Sequence, residues 1–332
     1  MCRIIGIEEI KQEEWNGLVK LSPVATWFQT KEAYDFFNSL TFLEAFVVAV
    51  EESGVLKGLA VGYIQKEGGK LKQFFSRRAI ILGGPLLAEN ITGEALKLLL
   101  KTLYHRLRNK AIYIETRNLN DYTAWQDIFI ACRFEYKEHL NFQVDCSSRE
   151  ELWKKLKENR KRQIQKSLGQ GVEVVEPSSE ADIISFYGIL VNLYSNRIKK
   201  PLFPLEFFVQ FYRHKLGKYL LVKYQDEIIG GIMCPILPGR ALYEWFVCGK
   251  DVEYKALFPS VMGTWAAMEY ASNNHLERFD FMGAGKPDEA YGVRDFKARF
   301  GGKMVEHGRF LCVCNRLLFG IGKFGVNMLK KL

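Results

Sequence analysis

The pattern of apolar and polar positions shows one arrangement twice along the chain. Residues 46–60 and residues 219–232 each read as an apolar strand, a polar tight turn and a second apolar strand. Gly58 and Gly230 stand at the same point of the two hairpins. A repeat of about 170 residues is too long for a solenoid unit, so the pattern predicts two copies of one domain.

The elements after each hairpin also repeat. Leucines at helical spacing predict a helix over residues 92–109, and residues 111–116 form the next strand. In the second half, residues 259–273 are predicted to be helical, with a proline near the first turn, and residues 278–282 follow as a strand. Each half therefore runs through helices, a hairpin, a strand, a helix, a strand, a helix and closing strands.

The domain boundaries follow from this order. Ser148 and Glu151 have the spacing of a capping box, and a single basic helix is predicted from there to residue 168. We take this helix as the start of the second half. The predicted parts are residues 1–147, residues 148–314 and the C-terminal residues 315–332.

Two further segments bear on the site. Residues 241–249 are predicted as one continuous strand, and residues 134–145 and 303–314 as the closing strands of the two halves. In the C-terminal segment, apolar side chains at helical spacing line one face. These are Leu317, Ile321, Phe324, Met328 and Leu332. We expect this segment to be a C-terminal helix that packs on the first domain, and lying on an anionic bilayer is the alternative.

Composition adds charge to this picture. The chain has 332 residues, of which 48% are apolar, which is enough for two cores, and its formal net charge is +9. Residues 154–166 hold seven bases and one acid, and residues 315–332 hold four bases and no acid. These runs are either solvated helix faces or surfaces for phosphate, from a cofactor, an RNA or a lipid head group.

Several classes of protein are excluded. The seven cysteines are scattered without a CxxC pair, the five histidines lack metal-binding spacing, and there is no GxSxG motif. Residues 283–287 lack the spacing of a phosphate-binding Walker loop. There is no signal peptide and no apolar run of the ~18 residues that span a membrane. We expect a cytoplasmic protein with no metal site and no transmembrane segment.

Three motifs in the second half resemble a known family. They are residues 241–246, residues 279–283 and residues 291–302, the last reading YGVRDFKARFGG. Together with the element order, they resemble the FemABX family, and residues 160–164 add to this likeness. The resemblance implies an α+β fold of two tandem GNAT-like domains, each with a mixed, mostly antiparallel sheet flanked by helices.

The resemblance also implies a reaction. FemABX enzymes transfer an aminoacyl group from aminoacyl-tRNA to an amine of a peptidoglycan precursor. We therefore expect charged tRNA and a lipid-linked or nucleotide-linked cell-wall precursor as partners, no tightly bound cofactor, and peripheral contact with the inner face of the membrane. By resemblance, Phe296 and Lys297 contact the RNA terminus or the nascent peptide, and Arg197 and Lys199 hold the phosphates of the precursor.

The residue chemistry suggests roles within such a site. Lys297 is a candidate to offset charge on a carbonyl oxygen, and Glu244 is a candidate general base. Asp280 lies at a strand end, where ligands bind or where a carboxylate caps the following loop. Tyr291 is a candidate proton or hydrogen-bond donor. A solvated lysine, an ion-paired glutamate and a capping aspartate remain the structural alternatives.

Further residues are candidates for substrate binding. Phe296 is expected to face inward, and Arg294 and Arg299 to lie on other faces of the same short helix, where they meet anions. Tyr243 and Trp245 flank Glu244 on the predicted strand and are expected to contact substrate.

Two other functions stay open. The first is an acyl-CoA-dependent GNAT N-acyltransferase that acts on an amino sugar or another surface-polymer amine. Residues 252–259 and 87–93 lack the glycine-rich loop that wraps a pyrophosphate, which argues against this function. The second is a non-catalytic basic module that binds RNA or lipid.

Overall fold

A computed structural model describes residues 1–66 and 76–329, with side chains to residue 322. The chain forms two compact units, Met1–His139 with His307–Leu332, and Leu140–Glu306. Each unit has one mixed sheet flanked by helices. The predicted α+β class, with two mixed sheets flanked by helices, is confirmed.

The described helices and strands are numbered in chain order. The helices are α1 (Gln12–Leu21), α2 (Lys31–Ser39), α3 (Gly93–Leu107), α4 (Gln126–Ala131), α5 (Arg149–Lys155), α6 (Glu158–Gly169), α7 (Glu180–Leu193), α8 (Leu205–Arg213), α9 (Pro259–Asn273), α10 (Gly292–Ala298) and α11 (Arg316–Leu329). The strands are β1 (Cys2–Ile5), β2 (Leu43–Glu52), β3 (Val55–Gln65), β4 (Arg78–Gly83), β5 (Leu86–Leu87), β6 (Tyr113–Asn118), β7 (Glu135–Lys137), β8 (Leu140–Asp145), β9 (Glu173–Val175), β10 (Gly217–Tyr224), β11 (Glu227–Leu237), β12 (Ala241–Tyr243), β13 (Phe246–Gly249), β14 (Arg278–Asp280), β15 (Lys303–Glu306) and β16 (Arg309–Val313).

The sheet of the first unit has the order β1-β2-β3-β4-β6-β16-β7, with β5 paired to β3. Only the β4–β6 pair among these described strands is parallel. The leucines of α3 that recur at helical spacing are buried in the core of this unit, as Leu96, Leu99 and Leu103 show. The Thr30 hydroxyl caps α2 by accepting from the Ala33 N–H over 3.2 Å.

The sheet of the second unit has the order β15-β8-β14-β12-β11-β10-β9, with β13 paired to β11. Here β12 and β14 form the parallel pair. The helix α9 begins at Pro259, whose fixed φ suits a first helical turn, and packs its many small and apolar side chains on the sheet.

The predicted strand over residues 241–249 is interrupted. It divides into β12 and β13 because the backbone turns away at Glu244 and Trp245. The Glu244 N–H donates to the Asp280 carbonyl over 2.9 Å, while the Trp245 N–H donates to the Met233 carbonyl over 3.1 Å. The two residues thus bond to opposite neighbouring strands, and the simple alternation of side chains is lost here.

The predicted basic helix over residues 148–168 is also interrupted. It forms α5 and α6, separated by Leu156 and Lys157 in extended conformations. The Lys157 N–H donates to the Arg299 carbonyl over 3.1 Å rather than to a helical partner. The predicted Ser148 cap is present, since its hydroxyl accepts from the Glu151 N–H over 3.4 Å.

The unit boundaries differ from the predicted residues 147 and 314. Strand β8 pairs with β14 and β15 in the second sheet, although it was predicted to close the first half. Strand β16 pairs with β6 and β7 in the first sheet, although it was predicted to close the second half. The apolar side chains Phe310 and Cys312 of β16 are buried in the core of the first unit, which favours this pairing.

The C-terminal helix α11 belongs to the first unit, where the Phe319 ring lies 5.5 Å from the Tyr113 ring, centroid to centroid. Leu317 and Ile321 of the predicted apolar face are 74% and 49% exposed. Phe324, Met328 and Leu332 lie outside the described side chains. Across residues 1–66 and 76–329, no helix has the length and apolar character needed to cross a membrane.

Candidate active site

The candidate site lies in the second unit, where neighbouring strands separate. Strand β12 pairs with β14 up to Tyr243 and Asp280, and β13 then continues along β11 alone. Glu244 stands directly at this point of separation. The ends of parallel strands at such a division are where open α/β sheets place ligands.

A buried ion pair fills the opening. The Lys297 Nζ atom of α10 lies 3.1 Å from Glu244 Oε1, and the two side chains are 10% and 2% exposed. The Thr264 hydroxyl of α9 donates to Glu244 Oε2 over 3.3 Å. The structure therefore brings together the two main candidates of the sequence, with lysine as the more accessible partner.

Two carbonyl groups complete the surroundings of the lysine. Lys297 Nζ donates to the Phe281 carbonyl over 2.6 Å and to the Gly283 carbonyl over 3.0 Å. It also lies 5.3 Å from the centroid of the Phe281 ring. The ammonium group is thus held by the loop after β14 and by Glu244, which fixes its position before any substrate binds.

Burial raises the pKa of Glu244, and the Lys297 ammonium and its hydrogen bond oppose that shift. A charge buried without a partner is very costly, so each member of the pair depends on the other. Lys297 is buried, which excludes the alternative of a solvated surface lysine.

Asp280 has the capping role that was left open as its alternative. It is completely buried and accepts hydrogen bonds from Asn141 Nδ2 over 2.8 Å, Gln143 Nε2 over 3.0 Å and the Met282 N–H over 2.8 Å. The Gly283 N–H in turn donates to Asn141 Oδ1 over 2.8 Å. Asp280 thus shapes the loop whose carbonyls hold Lys297.

Arg294 closes the same loop from the other side. Its guanidinium donates to the carbonyls of Ala284, Lys286 and Pro287. Its bonds in the structure are therefore to backbone and not to a carboxylate. Tyr291 is exposed and lies against Gly285, where an added Cβ would come within 2.8 Å of the tyrosine ring.

The aromatic residues beside Glu244 face the interior. Tyr243 is completely buried, and burial raises the pKa of its hydroxyl to about 12. Trp245 is half-buried and packs on Phe207, with the ring centroids 4.9 Å apart. The structure thus places Tyr243 in the core, away from any surface that a substrate reaches.

Phe296 is half-buried and is covered by a side chain of the basic helix α6. The Arg160 guanidinium lies 4.4 Å from the Phe296 ring and 4.9 Å from the Phe300 ring, and donates to the Phe296 carbonyl over 3.2 Å. Arg160 itself is only 4% exposed. It therefore joins α6 to the segment that carries Lys297.

The remaining basic candidates are exposed. Arg299 follows α10, and Arg197 and Lys199 lie at the end of the helical segment after α7. Arg197 lines a groove of about 1060 Å³ whose walls include Lys223 and Lys250 but not Lys297 or Glu244. The structure does not bring Arg197 into contact with the buried pair.

At the N-terminus of α9, three N–H groups have acceptors within the protein. Pro259 has no N–H, and the Ser260 N–H donates to the Asp251 carboxylate over 3.2 Å. The N–H groups of Val261 and Met262 both donate to the Phe258 carbonyl over 3.0 Å. The Asp251 side chain thus takes the place of the anion that a free helix N-terminus attracts.

At the corresponding point of the first unit, the described residues place no ionisable pair. The last pair of the parallel strands β4 and β6 joins Gly83 to Asn118, so Gly84 takes the position that Glu244 has in the second unit. Gln29 Nε2 donates to the Gly84 carbonyl over 2.7 Å, and the Tyr122 hydroxyl donates to the Gly83 carbonyl over 2.8 Å. Protein side chains thus fill this position in the first unit.

Sequence reasoning missed three side chains of the site, namely Thr264, Asn141 and Gln143. It included Arg160 in the motif of residues 160–164 but gave it no role. Thr264 is a polar position in an otherwise apolar stretch of α9, and this was the one signal that could have indicated it. Asn141 and Gln143 lie on β8, which was assigned to the other half, so their proximity to Asp280 was hidden.

Comparison with known proteins gives one family match. Residues 238–324, which include Glu244 and Lys297, match the model of the FemAB family. The resemblance predicted from the sequence motifs is thereby confirmed. The sequence matches no curated protein.

Solved structures extend the likeness to nearly the whole chain. A crystal structure of FemX has a TM-score of 0.72 and 16% identity, over 96% of this chain and 99% of that one. A tandem GNAT protein from the clavulanic acid biosynthesis pathway has a TM-score of 0.61 and 8% identity, over 95% and 99%. The C-terminal domain of a putative lysylphosphatidylglycerol synthetase from Agrobacterium fabrum has a TM-score of 0.60 and 13% identity, over 96% and 95%. These matches establish the tandem GNAT-like fold.

Proposed function

We propose that this protein is an acyltransferase of the FemAB kind, which transfers an aminoacyl group from aminoacyl-tRNA to an amine of a cell-wall peptidoglycan precursor. The observation that carries the proposal is the buried Lys297–Glu244 pair at the separation of β12 and β14, within the segment that matches the family. The similarity of the whole fold to FemX supports the same reaction class.

The reaction assigns a role to each charge. The amine nitrogen attacks the ester carbonyl and a C–N bond forms. The C–O bond to the ribose then breaks, and the ribose oxygen takes up the proton that the amine loses. Lys297 donates a hydrogen bond to the oxygen that gains negative charge. Of its two carbonyl partners, Gly283 is the less buried, so this bond is the one that the substrate oxygen replaces.

Glu244 acts through Lys297 in this scheme. Its side chain is 2% exposed, which leaves it behind the lysine and out of reach of a substrate. It keeps the ammonium charged and oriented, while Asp280 and Asn141 hold the loop that supplies the carbonyls. This replaces the general-base role that the sequence suggested for Glu244.

The N-terminus of α9 bears on the identity of the donor. Since Asp251 and Phe258 already accept from the N–H groups of Ser260, Val261 and Met262, these three donors are not free for a pyrophosphate. This disfavours acyl-CoA, the second candidate, and favours a donor bound through other contacts. Because Gly84 replaces the glutamate in the first unit, we assign the reaction to the second unit alone.

The test is transfer by the purified protein. A radiolabelled aminoacyl-tRNA mixture is incubated with a nucleotide-linked peptidoglycan precursor, and labelled precursor is measured beside a parallel reaction with acetyl-CoA. Lys297→Ala should lower transfer at least about 100-fold, whereas Lys286→Ala, at an exposed lysine paired with Glu289, should leave it unchanged. Transfer from acetyl-CoA alone would reject the proposed donor.

A second variant separates loss of activity from loss of the fold. Lys297→Ala leaves the Glu244 carboxylate buried without a partner, at a cost of about 3–5 kcal/mol. The double variant Lys297→Met with Glu244→Gln removes both charges and keeps similar volumes, so its fold should be retained. Full transfer activity in that folded double variant would refute the role of the pair.

A further inference from the structure

The helix α10, which carries Lys297, is too short to be stable by itself. It spans only the seven residues Gly292–Ala298, and isolated helices shorter than about 12 residues are marginal in water. Contacts with other segments must therefore hold it in place. Near its start, the Arg294 guanidinium bonds to carbonyls of the preceding loop. The position of Lys297 then depends on what holds the other end.

Arg160 of α6 holds the C-terminal end of α10. Its Nη2 donates to the Phe296 carbonyl over 3.2 Å. This carbonyl is one of the last four of the helix, which have no partner within the helix itself. A guanidinium at this end also suits the negative end of the helix dipole. The bonded carbonyl belongs to the peptide group between Phe296 and Lys297, so the bond fixes the backbone from which Lys297 projects.

The Arg160 guanidinium is itself fixed on several sides. It lies 4.4 Å from the centroid of the Phe296 ring and 4.9 Å from that of the Phe300 ring. Its Nη1 donates to Gln163 Oε1 over 2.5 Å. A planar guanidinium stacks on rings and donates hydrogen bonds within its plane, whereas a lysine ammonium is a compact point charge. The surroundings therefore suit arginine and not merely a positive charge.

The burial of Arg160 is unfavourable for the stability of the fold. The residue is only 4% exposed, and its buried Nε has no hydrogen-bond partner among the described residues. Burial, and then the nearby Arg299, lower the pKa of Arg160 to about 10. Buried charges are costly, and groups that break the rules for a stable fold are expected at functional sites. This cost favours a role for Arg160 in the site over a role in stability.

We propose that Arg160 is a positioning residue, which holds the end of α10 and thereby places the Lys297 ammonium for the substrate oxygen. This rests on the proposed function, in which Lys297 binds the oxygen that gains negative charge. Lys297 Nζ reaches Glu244 and the carbonyls of Phe281 and Gly283 over 2.6–3.1 Å. A displacement of a catalytic group by about 1 Å is enough to lower a rate strongly.

The test uses Arg160→Lys, which keeps the charge and removes the planar donor. We expect kcat of aminoacyl transfer to fall at least about tenfold, while KM for both substrates stays within about twofold, because Arg160 touches neither. The control is Arg162→Lys, the same substitution at an exposed side chain two residues along α6, which should change neither. Equal losses of kcat in the two variants would overturn the proposal.

Glu244 reports the position of Lys297 without any turnover. Burial raises its pKa, Lys297 lowers it and Asp280 raises it, and the Cys234 thiol also faces the carboxylate. Arg160→Lys changes no charge, so a higher pKa of Glu244 in this variant means that the ammonium has moved away. An NMR titration of carboxyl-labelled glutamates measures this pKa, and the Glu244→Gln, Lys297→Met variant assigns the signal. An unchanged pKa would overturn the proposal.

A second variant covers the case in which Arg160→Lys does not fold. Gln163→Met removes the acceptor of Arg160 Nη1 at a half-buried side chain and leaves the arginine in place. Its kcat should fall about threefold, as the loss of one hydrogen bond allows. An unchanged kcat in this variant, together with an unchanged pKa of Glu244, would contradict the positioning role.

The same measurements distinguish this role from the proposed function. If Lys297→Ala transfers normally while Arg160→Lys raises the pKa of Glu244, the proposed function fails and Arg160 still positions Lys297. If Lys297→Ala loses transfer while Arg160→Lys changes neither kcat nor the pKa of Glu244, the positioning role fails and the proposed function stands.

Discussion

At the residue scale, two carboxylates show how cationic partners decide the pKa of a buried or partly buried side chain. Glu244 has one cation, Lys297, and burial dominates, so its pKa is raised. Glu115 in the first unit has two, with Arg117 Nε 2.7 Å and Arg309 Nη1 3.1 Å from its oxygens. Burial alone would raise the pKa of Glu115, but the two guanidinium groups outweigh it and lower the pKa to about 2.

The lowered pKa of Glu115 predicts that the stability of the protein depends on pH. Because the pKa of Glu115 is lower in the folded chain than its usual value of 4.5, its stabilisation is present above about pH 4.5 and is lost as the pH falls towards 2. Glu115→Gln should reduce the free energy of unfolding by about 2 kcal/mol at pH 7, after allowance for the partly exposed arginines. Urea unfolding followed by circular dichroism from pH 7 to about pH 2.5 measures it.

The control is Glu135→Gln, which removes an exposed carboxylate paired with Lys137. Its effect should stay below about 0.5 kcal/mol at every pH. A constant difference between Glu115→Gln and the unchanged protein over the whole pH range would contradict the assigned interaction.

The individual residues of the site were predictable in part. Lys297 and Glu244 were both selected from motif and strand position, but their pairing was not, since 53 residues and several elements separate them in the sequence. Tyr243 and Trp245 were expected to contact substrate from a regular alternation that the break at Glu244 removes. Such breaks depend on which neighbouring strand each backbone group bonds to, and the sequence pattern does not contain this information.

At the scale of elements, the sequence predicted the ends of a helix well where a residue at that end determines them. Helix α9 begins and ends at the predicted residues, and the proline at its first position sets the start. The separation of α5 from α6 was missed because its cause is distant. Lys157 leaves the helical pattern to bond with Arg299, and Gly301 of the YGVRDFKARFGG motif packs on the end of α5 at that break.

Gly301 of this motif provides an element-scale prediction. Its φ is +81°, and an added Cβ would lie 2.4 Å from the Lys155 carbonyl oxygen at the end of α5. Gly301→Ala should therefore destabilise the protein by about 3 kcal/mol through backbone strain and displacement of α5. Urea unfolding of the variant beside the unchanged protein measures this loss.

A matched glycine lies at the end of α6. Gly169 is helical, and an added Cβ there would meet nothing within 4 Å. Gly169→Ala should leave stability unchanged or raise it by up to about 1 kcal/mol, because alanine is the better helix former. Equal destabilisation by the two substitutions would mean that the contact with Lys155 does not hold the two segments together.

At the scale of the molecule, the sequence predicted the duplication. It did not predict that β8 joins the second sheet and β16 the first. The two hairpins and the strands after them repeat in the sequence, and this predicted two sheets of the same kind. The closing segments, β7 with β8 and β15 with β16, each divide between the two sheets. The apolar alternation of a strand shows that it pairs, but does not show with which sheet.

The exchange makes the first unit depend on the C-terminal end of the chain. Strand β16 lies between β6 and β7, and the Phe310 ring stacks on Phe129 with the centroids 4.0 Å apart. A chain ending at Glu306 lacks this strand, so β7 loses its partner and the core loses Phe310 and Cys312. We expect limited proteolysis with mass spectrometry to show a digested first unit and a resistant Leu140–Glu306 unit.

A chain ending at Cys314 is the matched comparison, since it keeps β16 and lacks only the helix α11. It loses the contact of Phe319 with Tyr113, which is one ring pair at the edge of the sheet, and should keep a resistant first unit. Equal resistance of the two shortened chains would show that β16 is dispensable. Equal digestion of both would assign the stability of the first unit to α11 rather than to the exchanged strand.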